Sequence, residues 1–318
     1  AALVSTNSIT QGESVSILWK PLFESGVHID FAYRTFIWDS EASIKAHVHC
    51  VIVGFSRAVN NKQKIIYSGE NAIPANNING YLLDAENIFI EKRMKPLCNV
   101  PEIALGGQAI DGGFLILTEE EKEEFLEKDF IDRKPRYCIW LVGADPGLLK
   151  KCPMILERVN KVREFRLSST RANTKKAAEN PTLFASILEH KNQYIAIPKV
   201  SYQNRRYIPM DYLDGEIIPG DKLFTMPNAS FYEFGVLMSN VHMAWMRAVC
   251  GRLKRDYSYS NTIVYNNFPW PVVTEKNREQ IEKSAQEILK ARTLYPNSNL
   301  AALYDPLTMP AELRRAHT

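Results

Sequence analysis

The spacing of apolar and polar positions divides the chain into elements. Residues 2–5 (ALVS) make a short apolar run suited to a buried strand. Residues 13–25 follow Gly12 and carry Val15, Leu18, Trp19 and Leu22 at helical spacing, with Pro21 as the weak point. The stretch 28–38 (HIDFAYRTFIW) alternates as a strand, with Ile29, Phe31, Tyr33, Thr35 and Ile37 expected on one side. Residues 46–55 (AHVHCVIVGF) are almost continuously apolar, as a central strand covered on both faces is. A strand, a helix and two adjacent strands fit the closing part of an α/β sheet and are too short to be a whole one.

Residues 56–80 are polar, with NNKQK and PANNING, and read as a linker or excursion. In 81–118 the glycine pairs at 106–107 and 112–113 mark turns, and Glu119–Lys128 reads as a charged helix. Strands are expected at 136–143 (RYCIWLVG), 194–200 (YIAIPKV) and 205–210 (RRYIPM), with Pro198 and Pro209 at edges or ends. A helix should start near Pro153, with Ile155, Val159 and Val162 inward and Arg158, Lys161 and Arg166 mostly outward. The spacing of Phe234, Leu237, Val241, Trp245, Ala248 and Val249 predicts one helix over 234–253. Arg252, Lys254 and Arg255 would then complement the negative end of its dipole. A further helix is expected over 275–294, capped by Thr274, before a proline-interrupted helical tail.

Composition is that of an ordinary globular protein, with 45% hydrophobic and 24% charged residues. No apolar run reaches the roughly 18 residues of a membrane span, and no signal-peptide pattern is present. A cytoplasmic, membrane-free protein is therefore expected. The chain opens on AALVSTNSIT, without Met and already apolar, which suggests a piece of a longer protein. The five cysteines lack CxxC spacing and read as buried free thiols of a reducing compartment, with no metal site. His47 and His49 would share one strand face, too few for a metal, and read as packed residues.

Net charge is only +3, but it is segregated. Residues 150–176 hold nine basic residues against two acidic ones, while 119–129 (EEEKEEFLEKD) is strongly acidic. Further basic clusters are Lys199 with Arg205 and Arg206, and Arg247, Arg252, Lys254 and Arg255. Segregation of this kind suits a surface that faces a phosphate backbone; for any single cluster a solvated helix face is the simpler reading.

Two motifs bear on chemistry. The run Asn267-Phe268-Pro269-Trp270 is one letter from the Asn-Pro-Pro-aromatic signature of amino-group DNA methyltransferases. Phe268 cannot hold the turn that consecutive prolines fix, so the stretch reads as structural: Phe268 and Trp270 anchor a core, and Asn266 or Asn267 is left to touch DNA. The only glycine-rich stretch, LGGQAIDGG (105–113), does not open a helix and reads as turns rather than a cofactor loop.

Longer stretches carry a resemblance. LVSTNSITQGE (3–13), YIAIPKVSYQNRRYIP (194–209), GVLMSNVHMAWMRAVCGRLKRDYSYS (235–260), IVYNNFPWP (263–271) and LYDPLTMPAEL (303–313) look like the C-terminal part of MmeI-like adenine-N6 DNA methyltransferases of type II restriction–modification systems. The resemblance implies an α+β chain: closing strands of a Rossmann-like methyltransferase sheet (1–60), a linker (61–80), a mixed α/β target recognition domain (81–271) and a helical tail (272–318). It implies a double-stranded DNA partner. The catalytic and cofactor motifs lie N-terminal to these stretches in the family. The fragment would then be non-catalytic, with S-adenosylmethionine bound by missing methyltransferase parts, with or without a nuclease domain. The join EKDFIDRKPRYCIWL (127–141) is shorter than in the family.

Site residues follow as expectations. Gln203, Asn204, Arg205 and Arg206 are base-reading candidates by residue chemistry, joined through the resemblance by Asp221, Lys222 and Ser258. Arg158, Lys161, Arg163, Arg166, Arg252, Lys254 and Arg255 are phosphate candidates. The resemblance places Asn7, Ser8, Thr10 and Gln11 beside a flipped-base pocket. The alternatives are a stand-alone protein- or RNA-binding module, or a hydrolase built on 1–60, which clustered acids in a pocket would favour.

Overall fold

The computed structural model describes residues 1–38, 48–58, 61–117 and 137–318. The acidic stretch 119–129, the join before Tyr137, and His47 lie outside the described residues. The chain forms two compact units. The first comprises Ala1–Glu102, Lys199–Asn204 and Ser239–Val272; the second comprises Ile103–Pro198, Arg205–Met238 and Val273–Thr318.

The first unit is built on a five-stranded sheet: β1 (Ala2–Thr6), β2 (His28–Trp38), β3 (Val48–Ser56), β4 (Lys64–Ser68) and β5 (Asn71–Ala75), in the order β1-β3-β2-β4-β5. Every pair is antiparallel except β2 with β4. β3 is an interior strand, between β1 and β2, as its continuous apolar run requires. β4 and β5 correct the expected linker: KIIYS is a good strand, but polar flanks mask it. β2 has the expected bounds but not the expected face. Register shifts after Ile29 and after Tyr33 break the alternation, so Ile29 and Ala32 are buried while Tyr33, Thr35 and Ile37 are exposed. The helix Glu13–Glu24 tolerates Pro21 and lays Val15 and Trp19 on Ile29, Ala32, Val51, Val53 and Ile66. Burying each such large side chain contributes about 1.5–3 kcal/mol. Leu18, expected on the same face, is exposed.

The expected helix over 234–253 is two helices, Phe231–Leu237 in the second unit and Asn240–Val249 in the first. The break is chemical. Ser239 is extended and its hydroxyl accepts from the His242 N–H at 3.1 Å, an N-cap in mid-pattern. Arg252, Lys254 and Arg255 are therefore not at a helix end. They lie on the hairpin Gly251–Leu253 and Asp256–Ser258, whose second strand also pairs with Val200–Ser201. Asn261–Tyr265 forms a π-helical turn before the FPWP run. Phe268 and Trp270 are buried, as expected. The amide N–H groups of Asn266 and Asn267, left by the sequence to touch DNA, are engaged within the fold: they donate to the carbonyls of Arg93 and of Glu91, Thr262 and Ile263.

The second unit holds a four-stranded sheet in the order Asp211–Leu213, Tyr194–Pro198, Leu223–Pro227, Ala104–Leu105. The strand expected at 205–210 is irregular, and of the described residues 137–143 only Tyr137–Cys138 form strand, paired with Ile116–Leu117. The helix Pro153–Leu167 packs Val162 on Leu115 and Ile139. Arg166, expected outward, is fully buried. Its five N–H donors meet the carbonyls of Ala109, Ile110, Ala177, Asn180 and Leu183 at 2.7–3.1 Å. Helix Glu275–Thr293 has its expected cap, Thr274. Its buried Arg292 meets Asp211 at 3.1 Å and Tyr304, whose hydroxyl lies 2.9 Å from His317 Nε2. The thiols are not uniformly buried as expected: Cys50 and Cys250 are, whereas Cys152 is exposed. Among the described residues no helix is long and apolar enough to cross a membrane.

Candidate nucleic-acid interface

An open cleft of about 340 Å³ lies within the first unit. One wall begins where β1 ends. The turn Asn7–Thr10 is tied from within, because Thr10 donates its hydroxyl proton to the Asn7 carbonyl at 2.8 Å and Trp19 Nε1 donates to Ile9 at 2.9 Å. Gly12 then takes φ +54, where a Cβ is strained, and turns the chain into the helix. This leaves Asn7 and Gln11 lining the cleft. Asn7 Nδ2 lies 3.4 Å from Thr35 Oγ1 of β2, which lines the cleft with Phe36 and Ile37. His49, opposite Ile37 in register, supplies the β3 contribution.

The other wall is the hairpin. Arg252 stacks its guanidinium 3.7 Å over the Tyr257 ring and donates to the Arg255 carbonyl at 3.2 Å. Lys254 and Arg255 form a two-residue turn, with Lys254 at φ +58. Arg255 Nε donates to His49 Nε2 at 2.9 Å. The Gln203 N–H donates to the Asp256 carboxylate at 3.3 Å, so its backbone is held while its side chain lines the cleft. Among the described residues the lining thus carries three cations, three amides and no carboxylate. Such a wall attracts an anionic polymer.

Six expected residues meet in this cleft: Asn7, Gln11, Gln203, Arg252, Lys254 and Arg255. Thr10 is buried, holding the turn. Ser8 is exposed and bonded to Thr6, Asn204 is exposed and bonded to Tyr202, and Ser258 sits on the hairpin strand. Arg158, Lys161, Arg163, Arg205, Arg206, Asp221 and Lys222 belong to the second unit. There Lys161 pairs with Glu157 at 2.7 Å and Arg158 donates to the Phe114 carbonyl, while Arg163 is exposed. Arg166 is withdrawn from the phosphate set, since its donors are all used. Thr35, Phe36, Ile37 and His49 were not expected at a site; alternation puts Thr35 and Ile37 on one side with Ile29, Phe31 and Tyr33, and His49 reads as a packed strand residue.

Three family models match the chain in order. The MmeI DNA-methyltransferase domain matches residues 1–68, the MmeI target recognition domain 84–272, and the MmeI C-terminal domain 273–318. The chain belongs to the MmeI family. DNA methyltransferase A of Bacillus subtilis (strain 168) is 39% identical over 331 residues, covering 99% of this chain and 38% of that protein. The solved structure of the type IIL restriction-modification enzyme MmeI in complex with DNA is 43% identical with a TM-score of 0.95, over 99% of this chain and 45% of that one. The chain thus spans less than half the length of these MmeI-family relatives. In family terms the cleft joins two domains: Asn7, Gln11, Thr35 and His49 fall in the methyltransferase match, Gln203 and the hairpin in the target recognition match.

Proposed function

We propose that this chain supplies the sequence-specific recognition of double-stranded DNA for an adenine-N6 DNA methyltransferase of a restriction–modification system. The cleft carries the reading. Its three cations and three amides are drawn from both family domains, and this is the mixture that tracking phosphates and reading base edges requires. The MmeI relative solved in complex with DNA supports the same partner.

Methyl transfer from S-adenosylmethionine belongs, in this reading, to parts of the parent protein beyond the chain. The glycine-rich stretch 105–113 does not fit that cofactor. A Cβ on Gly106 would lie 2.1 Å from the Gly220 carbonyl oxygen, and the Gly106 and Gly107 N–H groups donate to Leu223 and Pro219. These glycines let two backbones meet and leave no cradle for a ligand. Among the described residues, the cleft's lining equally gives the hydrolase alternative no acid.

The test is selection from a randomised duplex pool at several salt concentrations, with sequencing of the retained DNA. Enrichment of one short motif, with affinity falling steeply with salt, is the expected result. Preference for single-stranded RNA or for no nucleic acid would move the chain to an interaction module.

A further inference from the structure

The His49–Arg255 contact has a geometry that simple phosphate attraction does not need. A guanidinium accepts no hydrogen bond, so the 2.9 Å contact requires Nε2 of His49 to present its lone pair, with the ring proton on Nδ1. The acceptor stands on β3, an interior strand of the sheet, paired across from Ile37. The donor stands on a two-residue turn, paired across at Leu253 and Asp256. Two elements 206 residues apart in sequence are therefore matched at one atom pair.

Holding Nε fixes the plane of the guanidinium and leaves its two Nη groups for whatever enters the cleft that Arg255 lines. A phosphate accepts from many directions, and the flexible ammonium of neighbouring Lys254 suits it as well. A fixed plane matters when two acceptors lie side by side in a plane, as O6 and N7 of guanine do in the major groove. We propose that His49 is a positioning residue that holds Arg255 by its Nε, so that the Arg255 guanidinium reads a guanine of the DNA target. The assignment rests on the DNA-recognition reading of the cleft. It moves Arg255 from the phosphate set to the base-reading set and leaves Lys254 and Arg252 to the phosphates.

Wild type, His49→Leu, His49→Gln and Arg255→Ala are compared by selection from the randomised duplex pool and by salt titration on the enriched motif. Wild type should enrich a motif with a fixed guanine. His49→Leu should lose preference at that one position by about tenfold, within the range of a single bidentate contact, and keep its salt slope because Arg255 remains charged. His49→Gln, whose Oε1 can accept from Nε, should keep the preference, and Arg255→Ala should lose it. Unchanged preference in His49→Leu overturns the positioning role, as does uniform weakening with a shallower slope. Nitrogen NMR of the His49 ring in the free protein decides the pairing independently: an unprotonated Nε2 is expected, and a protonated Nε2 overturns it even if the variants misfold. Wild type that binds DNA without preference overturns the recognition reading and the guanine assignment with it; the ring tautomer separates that failure from failure of the pair.

Discussion

Lys254 is the residue whose replacement should move stability and binding in opposite directions. It sits at φ +58 in the two-residue turn of the hairpin, a place usually given to Gly or Asn. A side chain in the left-handed region costs about 1–2 kcal/mol. In Lys254→Gly that strain is relieved, while the freer unfolded chain takes back about 0.4–1 kcal/mol. The net expectation is a gain of about 0.5–1 kcal/mol, read as a higher urea midpoint with unchanged slope. Binding should weaken. Removal of one phosphate contact lowers the salt slope by about 0.9, which at 0.1 M salt corresponds to roughly tenfold lower affinity. Urea unfolding and salt-dependent filter binding on one preparation give both numbers. A variant that is stabilised yet binds with the wild-type slope would remove Lys254 from the interface. A destabilised variant would refute the strain argument itself.

Arg166→Met should destabilise the protein by about 3–5 kcal/mol, because five carbonyls lose their donors in a buried site, and should leave the salt slope of DNA binding unchanged. Any fall in slope would return it to the phosphate set. Burial holds the imidazoles of His242 and His317 down at about 3, below the ordinary 6.5. The unfolded chain then binds the extra protons, so stability is complete above about pH 6.5 and is lost as pH falls toward 3. At pH 5 each of these two histidines should have removed about 2 kcal/mol, measured as urea midpoints at pH 7 and 5 in the wild type and in His317→Phe, which should reduce the dependence. Ser239→Ala should cost about 1 kcal/mol through loss of the cap that separates the two helices, checked by thermal unfolding.

Much of the fold is legible in the sequence where one local rule acts alone. The bounds of β2, the start at Pro153 and the cap at Thr274 follow from alternation, proline geometry and capping chemistry. The errors fall where two rules compete. Residues 155, 159, 162 and 166 share one helical face, so the spacing places Arg166 inward; only its charge argues outward, and the charge is answered by carbonyls from 109–110 and 177–183 that no local window contains. In 234–253 the apolar spacing continues through Ser239, and the hydroxyl that ends one helix and caps the next is a single polar residue in a long pattern. The hairpin at 251–258 has Lys254-Arg255 in place of a Gly or Asn turn, so three basic residues looked like complements to a helix dipole. Six cleft residues were identifiable from chemistry and resemblance. His49 and the 35–37 segment were not, because their place depends on two register shifts in β2 that the sequence does not mark.

If the cleft of the first unit is the DNA interface, its three cations carry both the salt dependence and the motif. Arg252, Lys254 and Arg255 are changed together to Gln, and separately Lys161 and Arg163 of the second unit are changed to Gln. Binding of each to the selected duplex is followed from about 50 to 200 mM salt. The cleft variant should lose about 2–3 units of salt slope, one for each cation withdrawn from a phosphate or base, together with the enriched motif; the second-unit variant should keep the motif. A cleft variant that retains the wild-type slope and motif would contradict the account.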